Sequence, residues 1–85
     1  MKQIGKVVAV CNKQEGVTND NEWVNETLVL EVSEGKKMAF EARGKEAVAE
    51  IEKLQPGTLV EVIFSIDSRE YQGKWYTSLR YKALA

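Results

Sequence analysis

The chain has 85 residues, of which 44% are hydrophobic and 29% are charged, and its formal net charge is −1. This composition is typical of one soluble globular domain, predicted over residues 1–85, and no apolar run approaches the roughly 20 residues of a membrane span. The sequence contains no histidine, which excludes Ser-His and Cys-His catalysis and removes the commonest metal ligand, so we expect neither an enzyme nor a metal or other cofactor.

The N-terminal segment indicates the compartment. Residues 1–6 lack the apolar core of a secretory signal peptide. Cys11, as the single cysteine, cannot form an internal disulfide, and its position in an apolar strand pattern predicts a buried, inert thiol. We therefore expect a cytoplasmic protein without a membrane partner.

Three strands are predicted in the first half of the chain. Residues 3–11 are rich in Val, and Gly5 near their start indicates a bend or a close backbone approach. Residues 12–22 are polar and contain Gly, Asn and Asp, which predicts a loop. Residues 23–32 and, after a tight turn, residues 36–43 each alternate between an apolar and a more polar face. The apolar set of the third strand, predicted to lie in the core, is Met38, Phe40 and Ala42.

A helix and two strands are predicted in the second half. Residues 45–54 have helical spacing and end at Gln55-Pro56-Gly57. One face of this helix is apolar and consists of Ala47, Val48, Ile51 and Leu54. Residues 58–67 and 75–83 alternate at period two on either side of a turn at Gln72-Gly73. The last strand has a face predicted to serve the core, made of Trp75, Leu79 and Tyr81.

The predicted order of elements indicates the fold class. A short helix between the third and fourth of five strands is the layout of the OB-fold, a five-stranded Greek-key barrel in the all-β class. An SH3-like barrel is the main alternative, but it would not normally contain a ten-residue amphipathic helix at that position.

Residues 68–82 carry the most informative chemical pattern. They hold all three Tyr, one of the two Trp, and four basic residues against one acid. Aromatic rings offer flat faces on which any base can stack, and neighbouring cations offer charge to phosphates, which is what sequence-tolerant binding of single strands requires. Aromatic residues are also good strand formers and core fillers, so the pattern is compatible with a structural role.

Positive charge is concentrated in two segments. Residues 36–45 and residues 69–82 each carry four basic residues and one acid, so the rest of the chain is acidic. The local field, rather than the net charge, steers a polyanion into a groove. Ordinary scatter of charges over a solvated surface is the alternative explanation.

Four stretches of the chain carry a resemblance to known proteins. They are Gly5-Lys6-Val7-Val8, Trp23 ahead of Leu28-Val29-Leu30-Glu31, Phe40-Glu41-Ala42-Arg43-Gly44-Lys45, and Leu54-Gln55-Pro56-Gly57 with the later hairpin 68–77. On these stretches the chain resembles the bacterial single-stranded-DNA-binding OB-fold proteins and, more closely, a small bacterial OB-fold family of unknown function. The resemblance covers nearly the whole chain and implies an OB-fold and a single-stranded ligand, and none of the stretches is a catalytic signature.

The candidate site follows from the usual oligonucleotide face of OB-folds, which is formed by strands two and three and by the loops after strands one and four. Base stacking is expected from three aromatic residues, Trp23, Tyr71 and Tyr76. Phosphate contacts are expected from four basic residues, Lys37, Arg43, Arg69 and Lys74. For Trp23, stacking on a base and packing against the protein are equally compatible with its place at the start of a strand.

The sequence thus favours a non-enzymatic domain that binds single-stranded DNA with little sequence preference. RNA is a second candidate ligand, since recognition of the 2′-hydroxyl depends on contacts that a sequence does not reveal. A homo-oligomer, either a dimer or a tetramer formed through a β edge, is expected for so short a chain. The alternative function is a protein-interaction module on the same barrel without nucleic-acid binding, which the acidic pI of about 5.5 favours.

Overall fold

Five β-strands and one α-helix make up the computed structural model, which describes residues 1–85. In chain order they are β1 (Lys2–Thr18), β2 (Asn21–Ser33), β3 (Lys36–Arg43), α1 (Lys45–Glu52), β4 (Leu59–Tyr71) and β5 (Lys74–Leu84). The strands form a closed barrel in the order β1-β2-β3-β5-β4, in which only β3 and β5 pair in parallel. This topology, with the helix between β3 and β4, confirms the predicted OB-fold. The structure contains no helix long and apolar enough to cross a membrane.

The core lies inside the barrel and is built from alternate positions on the strands. The ring of Phe40 is fully buried and meets the ring of Phe64 edge to face, with 5.1 Å between the ring centroids. The predicted core positions of Phe40 and Tyr81 are therefore confirmed. Cys11, predicted to be buried, is only half-buried, because it lies on the outer side of the barrel opposite Thr27.

Helix α1 closes one end of the barrel. It presents Val48 and Ile51 to the core, as its spacing predicts. Gly44 precedes the helix at a φ of 95°, a backbone region that favours glycine, and its N–H is bonded to β2. On the other side, the hydroxyl of Tyr81 donates a hydrogen bond to Glu50 of the helix. Burial of the Tyr81 side chain, together with this carboxylate, raises the pKa of Tyr81.

Strands β1 and β2 continue beyond the barrel as a paired arm, where the sequence predicted a loop over residues 12–22. Strand pairing resumes after a bulge at Gln14 with Asn25 and continues to the tip. The tip is a two-residue turn at Asn19-Asp20, whose positive φ angles of 50° and 63° suit a type I′ turn. The loop prediction was wrong because both faces of such an arm meet water, so its strands need no apolar alternation.

Strands β4 and β5 form a second arm, residues 66–78, which we call the β4–β5 arm. Strand β1 pairs with β4 only as far as Ile63, and β3 pairs with β5 only at Leu79 and the residue after it, so the arm has no neighbouring strand on either side. Every residue of the arm is exposed. Trp75 is 69% exposed, and the prediction that it serves the core was wrong, because its strand face continues past the last element that could cover it.

The strand directions divide the barrel into two ends. Strands β2 and β4 end, and β3 and β5 begin, at the end that carries the β2–β3 turn and the β4–β5 arm. Helix α1 and the β1–β2 arm lie at the opposite end. A residue near the start of β3 is therefore close to the level of the β4–β5 arm, and a residue near its end is close to the level of the helix.

Candidate nucleic-acid interface

Four of the predicted site residues lie on one face of the β4–β5 arm. The strand register places Arg69 opposite Tyr76 and Tyr71 opposite Lys74. Directly opposed residues of an antiparallel pair project to the same side, with their Cβ atoms about 4.5–5.5 Å apart. Positions two apart on one strand also share a face. Two rings and two cations therefore alternate in a two-by-two pattern, and each ring has a cation both across from it and beside it.

The two rings on this face are exposed to solvent, and the two cations make no ion pair. Tyr71 and Tyr76 are 62% and 51% exposed, which leaves ring surface open to a ligand. Arg69 and Lys74 are exposed and take part in none of the four ion pairs of the structure. Asp67 shares this face nearer the barrel but is paired with Arg80 at 3.7 Å, so an approaching phosphate would meet two cations that have no ion-pair partner.

The opposite face of the arm carries Trp75, which sequence reasoning assigned to the core. Trp75 lies across from Glu70, and beside it the hydroxyls of Ser68 and Thr77 are hydrogen-bonded at 3.0 Å. The exposed Ile66 shares this face nearer the barrel. The arm therefore offers a third large ring, on the less charged of its two faces.

The outer face of β2 and β3 carries two of the predicted phosphate ligands, and each faces or neighbours an acid. Lys37 lies opposite Glu31 on β2 and makes no ion pair. Arg43 is bonded through its Nε to the carboxylate of Glu41, two residues earlier on the same strand. A phosphate would have to displace Glu41 from Arg43, whereas Lys37 is free.

Trp23 lies at the end of this face nearest α1 and rests on Gly16 of β1. A Cβ atom at Gly16 would stand 2.6 Å from Cζ2 of the indole, so the ring occupies the space that a side chain would fill. Trp23 nevertheless remains 41% exposed. The ring is therefore both packed against the backbone and partly open, which combines the two alternatives that the sequence left for it.

The structure divides the predicted site into two groups. Lys37 belongs to the same end as the β4–β5 arm, whereas Arg43 and Trp23 lie at the helix end. Lys37 and Arg43 lie six positions apart on β3, which corresponds to about 20 Å along an extended strand. The free cations and two of the three predicted rings are thus gathered at the arm end.

Between Lys37 at the arm end and Arg43 and Trp23 at the helix end, the outer face of the sheet carries short apolar side chains. Ala9, Val29 and Ala39 lie in register across β1, β2 and β3. Small side chains let a flat ligand approach the sheet closely, but the flanking rows carry Glu31 and Glu41, which repel phosphates. This band offers a path for an extended ligand with little electrostatic attraction of its own.

A groove of about 500 Å³ lies between the β1–β2 arm and α1, on the other side of Trp23. Its two lysines are both paired with acids: Lys45 with Glu22 at 2.9 Å and Lys13 with Glu52 at 3.3 Å. The groove therefore presents no free cation, in contrast to the β4–β5 arm.

Glu26 is a buried acid on the inward side of β2, which sequence reasoning missed. It is only 7% exposed, and its Oε1 has no hydrogen-bond partner. Burial raises the pKa of the Glu26 carboxyl, and the neighbouring carboxylate of Glu52 raises it further, while Lys13 acts in the opposite direction. The signal available in the sequence was its inward position in the alternation, between Val24 and Leu28.

Replacing Glu26 by glutamine is expected to stabilise the protein at neutral pH. Because the pKa of Glu26 is raised on folding, the folded state binds the proton more tightly, and the wild type loses stability as the pH rises from the ordinary glutamate range through that raised pKa. A neutral amide has no charge to desolvate and removes this loss, so the variant should be more stable than the wild type at pH 8 and should differ less from it at pH 5.

Urea unfolding at pH 5 and at pH 8 measures the effect of Glu26→Gln. The matched control is Glu46→Gln, since Glu46 is an exposed acid of α1 that makes no ion pair. A Glu26→Gln variant that loses as much stability between the two pH values as the wild type would contradict this account of the buried acid.

The comparisons with known proteins identify a family. No curated protein and no solved structure matches the chain. The family described as Domain of unknown function (DUF3127) matches residues 3–83, which include all five strands and the helix apart from a few terminal residues. This agrees with the resemblance to a small family of unknown function that the sequence motifs carry. The chain therefore belongs to the family Domain of unknown function (DUF3127).

Proposed function

We propose that this domain binds single-stranded DNA with little sequence preference and that the β4–β5 arm is its main contact surface. The observation that carries the proposal is the alternation of two exposed tyrosines with two unpaired cations on one face of the arm. Bases would stack on Tyr71 and Tyr76, and the phosphates between them would contact Arg69 and Lys74. Stacking is sequence-tolerant because every base has a π-face, and each stack is worth about 1–3 kcal/mol.

From the arm, a strand of DNA would continue over the outer face of β3 and β2. Lys37 would take a phosphate close to the arm, and the band of short apolar side chains beyond it would let the strand pass. Arg43 would exchange Glu41 for a phosphate, and Trp23 would stack on a base at the far end. A path of this length agrees with the roughly 4–16 nucleotides that one OB domain occupies.

Further support comes from the resemblance of the sequence to bacterial single-stranded-DNA-binding OB-fold proteins. The proposal describes a binding protein rather than an enzyme, acting in the cytoplasm, where a free thiol such as that of Cys11 stays reduced. It makes no use of a membrane. RNA is the competing ligand to be compared with DNA, since the face described has no group dedicated to the 2′-hydroxyl.

A second candidate is a protein-interaction module. The observation that favours it is the second face of the β4–β5 arm, where Trp75 and Ile66 are exposed with Glu70 as the single charge. Exposed apolar surface of this kind often marks a protein contact. Under this alternative, the folded domain ignores DNA at low salt.

Titration of two single-tryptophan variants with single-stranded oligonucleotides tests the proposal. Trp23→Phe leaves Trp75 as the reporter on the arm, and Trp75→Phe leaves Trp23 as the reporter at the helix end. With a labelled DNA of about 30 nucleotides, a few OB site sizes, we expect both variants to bind saturably by fluorescence anisotropy. Trp23 should be quenched, whereas Trp75, on the arm face opposite Tyr71 and Tyr76, should respond less. An RNA of the same sequence shows whether the ligand class is broader.

The two reporters also separate the parts of the path. Quenching of Trp75 without quenching of Trp23 would move the contact to the Trp75 face of the arm. Absence of an anisotropy change with both variants at low salt, with unchanged circular dichroism, would reject the proposal in favour of the protein-interaction module.

A further inference from the structure

The seam between β1 and β4 carries an exposed apolar patch on the side of the barrel away from β3. The register pairs Lys2 with Ile63, Ile4 with Glu61 and Lys6 with Leu59. All of these side chains point outward, because the residues between them on both strands lie on the inner side. The apolar members of this patch are Ile4, Leu59 and Ile63, and the first two are exposed. Single exposed apolar residues are ordinary, but a contiguous group of them indicates a contact surface.

The charges around this patch are unpaired within the chain. Lys2, Lys6 and Glu61 take part in none of the four ion pairs of the structure. Glu61 lies opposite Ile4, and the two lysines occupy the diagonal positions beside it. Three charges of both signs thus alternate with three apolar residues and have no partner in the monomer.

This arrangement is complementary to itself. Consider a second copy packed face to face, related by a two-fold axis that runs parallel to the strands between β1 and β4. Strand β1 of one copy then covers β4 of the other. Glu61 of each copy then lies over Ile4 of the other and between that copy's Lys2 and Lys6, which lie over Ile63 and Leu59. The two lysines can thus reach the carboxylate of Glu61 across the interface, and their aliphatic stems cover the apolar residues. A two-fold interface requires one surface that complements itself in this way.

We propose that two copies of this chain associate through the outer face of the β1–β4 seam. The pairing of β1 with β4 closes the barrel there, so the contact is a packing of two faces and not the β-edge pairing expected from the sequence. The seam is on the other side of the barrel from β3 and involves no residue of the proposed DNA surface. A dimer of this kind would present two β4–β5 arms, both free to bind DNA.

The expected association is concentration-dependent. Stable interfaces bury roughly 800 Å² per partner with about 20–30 residues on each side. The two strand segments, residues 2–8 and 59–63, provide fewer residues than that. The dimer therefore belongs to the smaller size class of interfaces and should dissociate on dilution.

Sedimentation equilibrium of the whole chain over a wide concentration range, without DNA, tests this proposal. The wild type is expected to shift from monomer to dimer, and Leu59→Lys, which sets a cation against Lys6 of both copies, is expected to raise the dimer dissociation constant at least tenfold. The matched control is Val17→Lys, since Val17 and Leu59 are both 69% exposed but Val17 lies on the β1–β2 arm. This control should dimerise like the wild type.

A second set of variants reverses the charges of the seam and leaves its apolar residues unchanged. Glu61→Lys alone should weaken the dimer, since it places only cations at the seam. The combination of Glu61→Lys with Lys2→Glu and Lys6→Glu restores the alternation and should restore association. A wild type that stays monomeric at all concentrations, or a Leu59→Lys variant that dimerises unchanged, overturns the proposal. Because no DNA is present, the result of this dimerisation test does not depend on whether the protein binds DNA.

Discussion

Replacing Tyr71 and Tyr76 together by alanine is expected to remove most of the affinity for single-stranded DNA. Each base–aromatic stack is worth about 1–3 kcal/mol, so the loss of two stacks should cost about 2–6 kcal/mol, which is a factor of about 30 or more in the dissociation constant. Both rings are more than half exposed, so the double variant should keep its stability. Fluorescence anisotropy of a labelled oligonucleotide measures the effect.

The matched control for this variant is the double substitution Tyr71→Phe and Tyr76→Phe. It keeps both rings and removes only the hydroxyls, so binding should stay within a few-fold of the wild type if stacking is the source of affinity. An alanine double variant that is folded and binds as well as the wild type would exclude the arm as the stacking platform.

The largest expected effect on stability is that of Phe40→Ala. The Phe40 side chain is 0% exposed and contacts Phe64 at the centre of the barrel. Removing a buried phenyl group costs about 3–5 kcal/mol through lost burial and the cavity that remains. A domain of this size has a total stability of only about 4–13 kcal/mol, so the variant should be close to unfolding. Urea denaturation of both proteins measures the difference.

Trp75→Ala is the informative counterpart to Phe40→Ala. Although tryptophan is larger than phenylalanine, Trp75 is mostly exposed, and its loss should change the free energy of unfolding by no more than about 0.5 kcal/mol. Comparable destabilisation by the two substitutions would contradict the placement of the arm outside the barrel.

Alternation at period two was sufficient to predict the barrel. It predicted β3 over residues 36–43, the span that the structure shows, because one face of this strand is buried and the other is wet. It also identified Phe40 and Tyr81 as core residues. The helix was predicted from the spacing that places Val48 and Ile51 on one face, and the structure ends it at Glu52, two residues before the predicted end.

Alternation at period two did not predict burial correctly where the strands extend beyond the barrel. Trp75 is on the same strand face as the buried Tyr81, but nothing covers that face beyond Leu79, and a period of two does not encode where the covering element ends. Residues 12–22 have no apolar alternation because both sides of their arm are solvated. The type I′ turn at Asn19-Asp20 was the local signal for this arm, and its Asn and Asp were instead interpreted as part of a loop.

The chemistry of the candidate site was only partly visible in the sequence. Period two places Arg69 and Tyr71 on one face of the arm, but the pattern with Lys74 and Tyr76 depends on the register, which the two-residue turn fixes. The pairing of Arg43 with Glu41, which weakens Arg43 as a phosphate ligand, depends on side-chain conformation. A sequence therefore identifies these residue types but not which cations remain free.

The most direct test of the DNA-binding proposal is the salt dependence of affinity for a single-stranded oligonucleotide, measured with the wild-type protein. Three cations on the proposed path, Lys37, Arg69 and Lys74, are free of ion pairs. If each contacts one phosphate, the logarithm of the association constant should fall with the logarithm of the salt concentration with a slope of about −2, so affinity should drop about twentyfold between roughly 50 and 200 mM salt. A folded protein that does not bind at 50 mM, or an affinity that does not change with salt, would contradict the account.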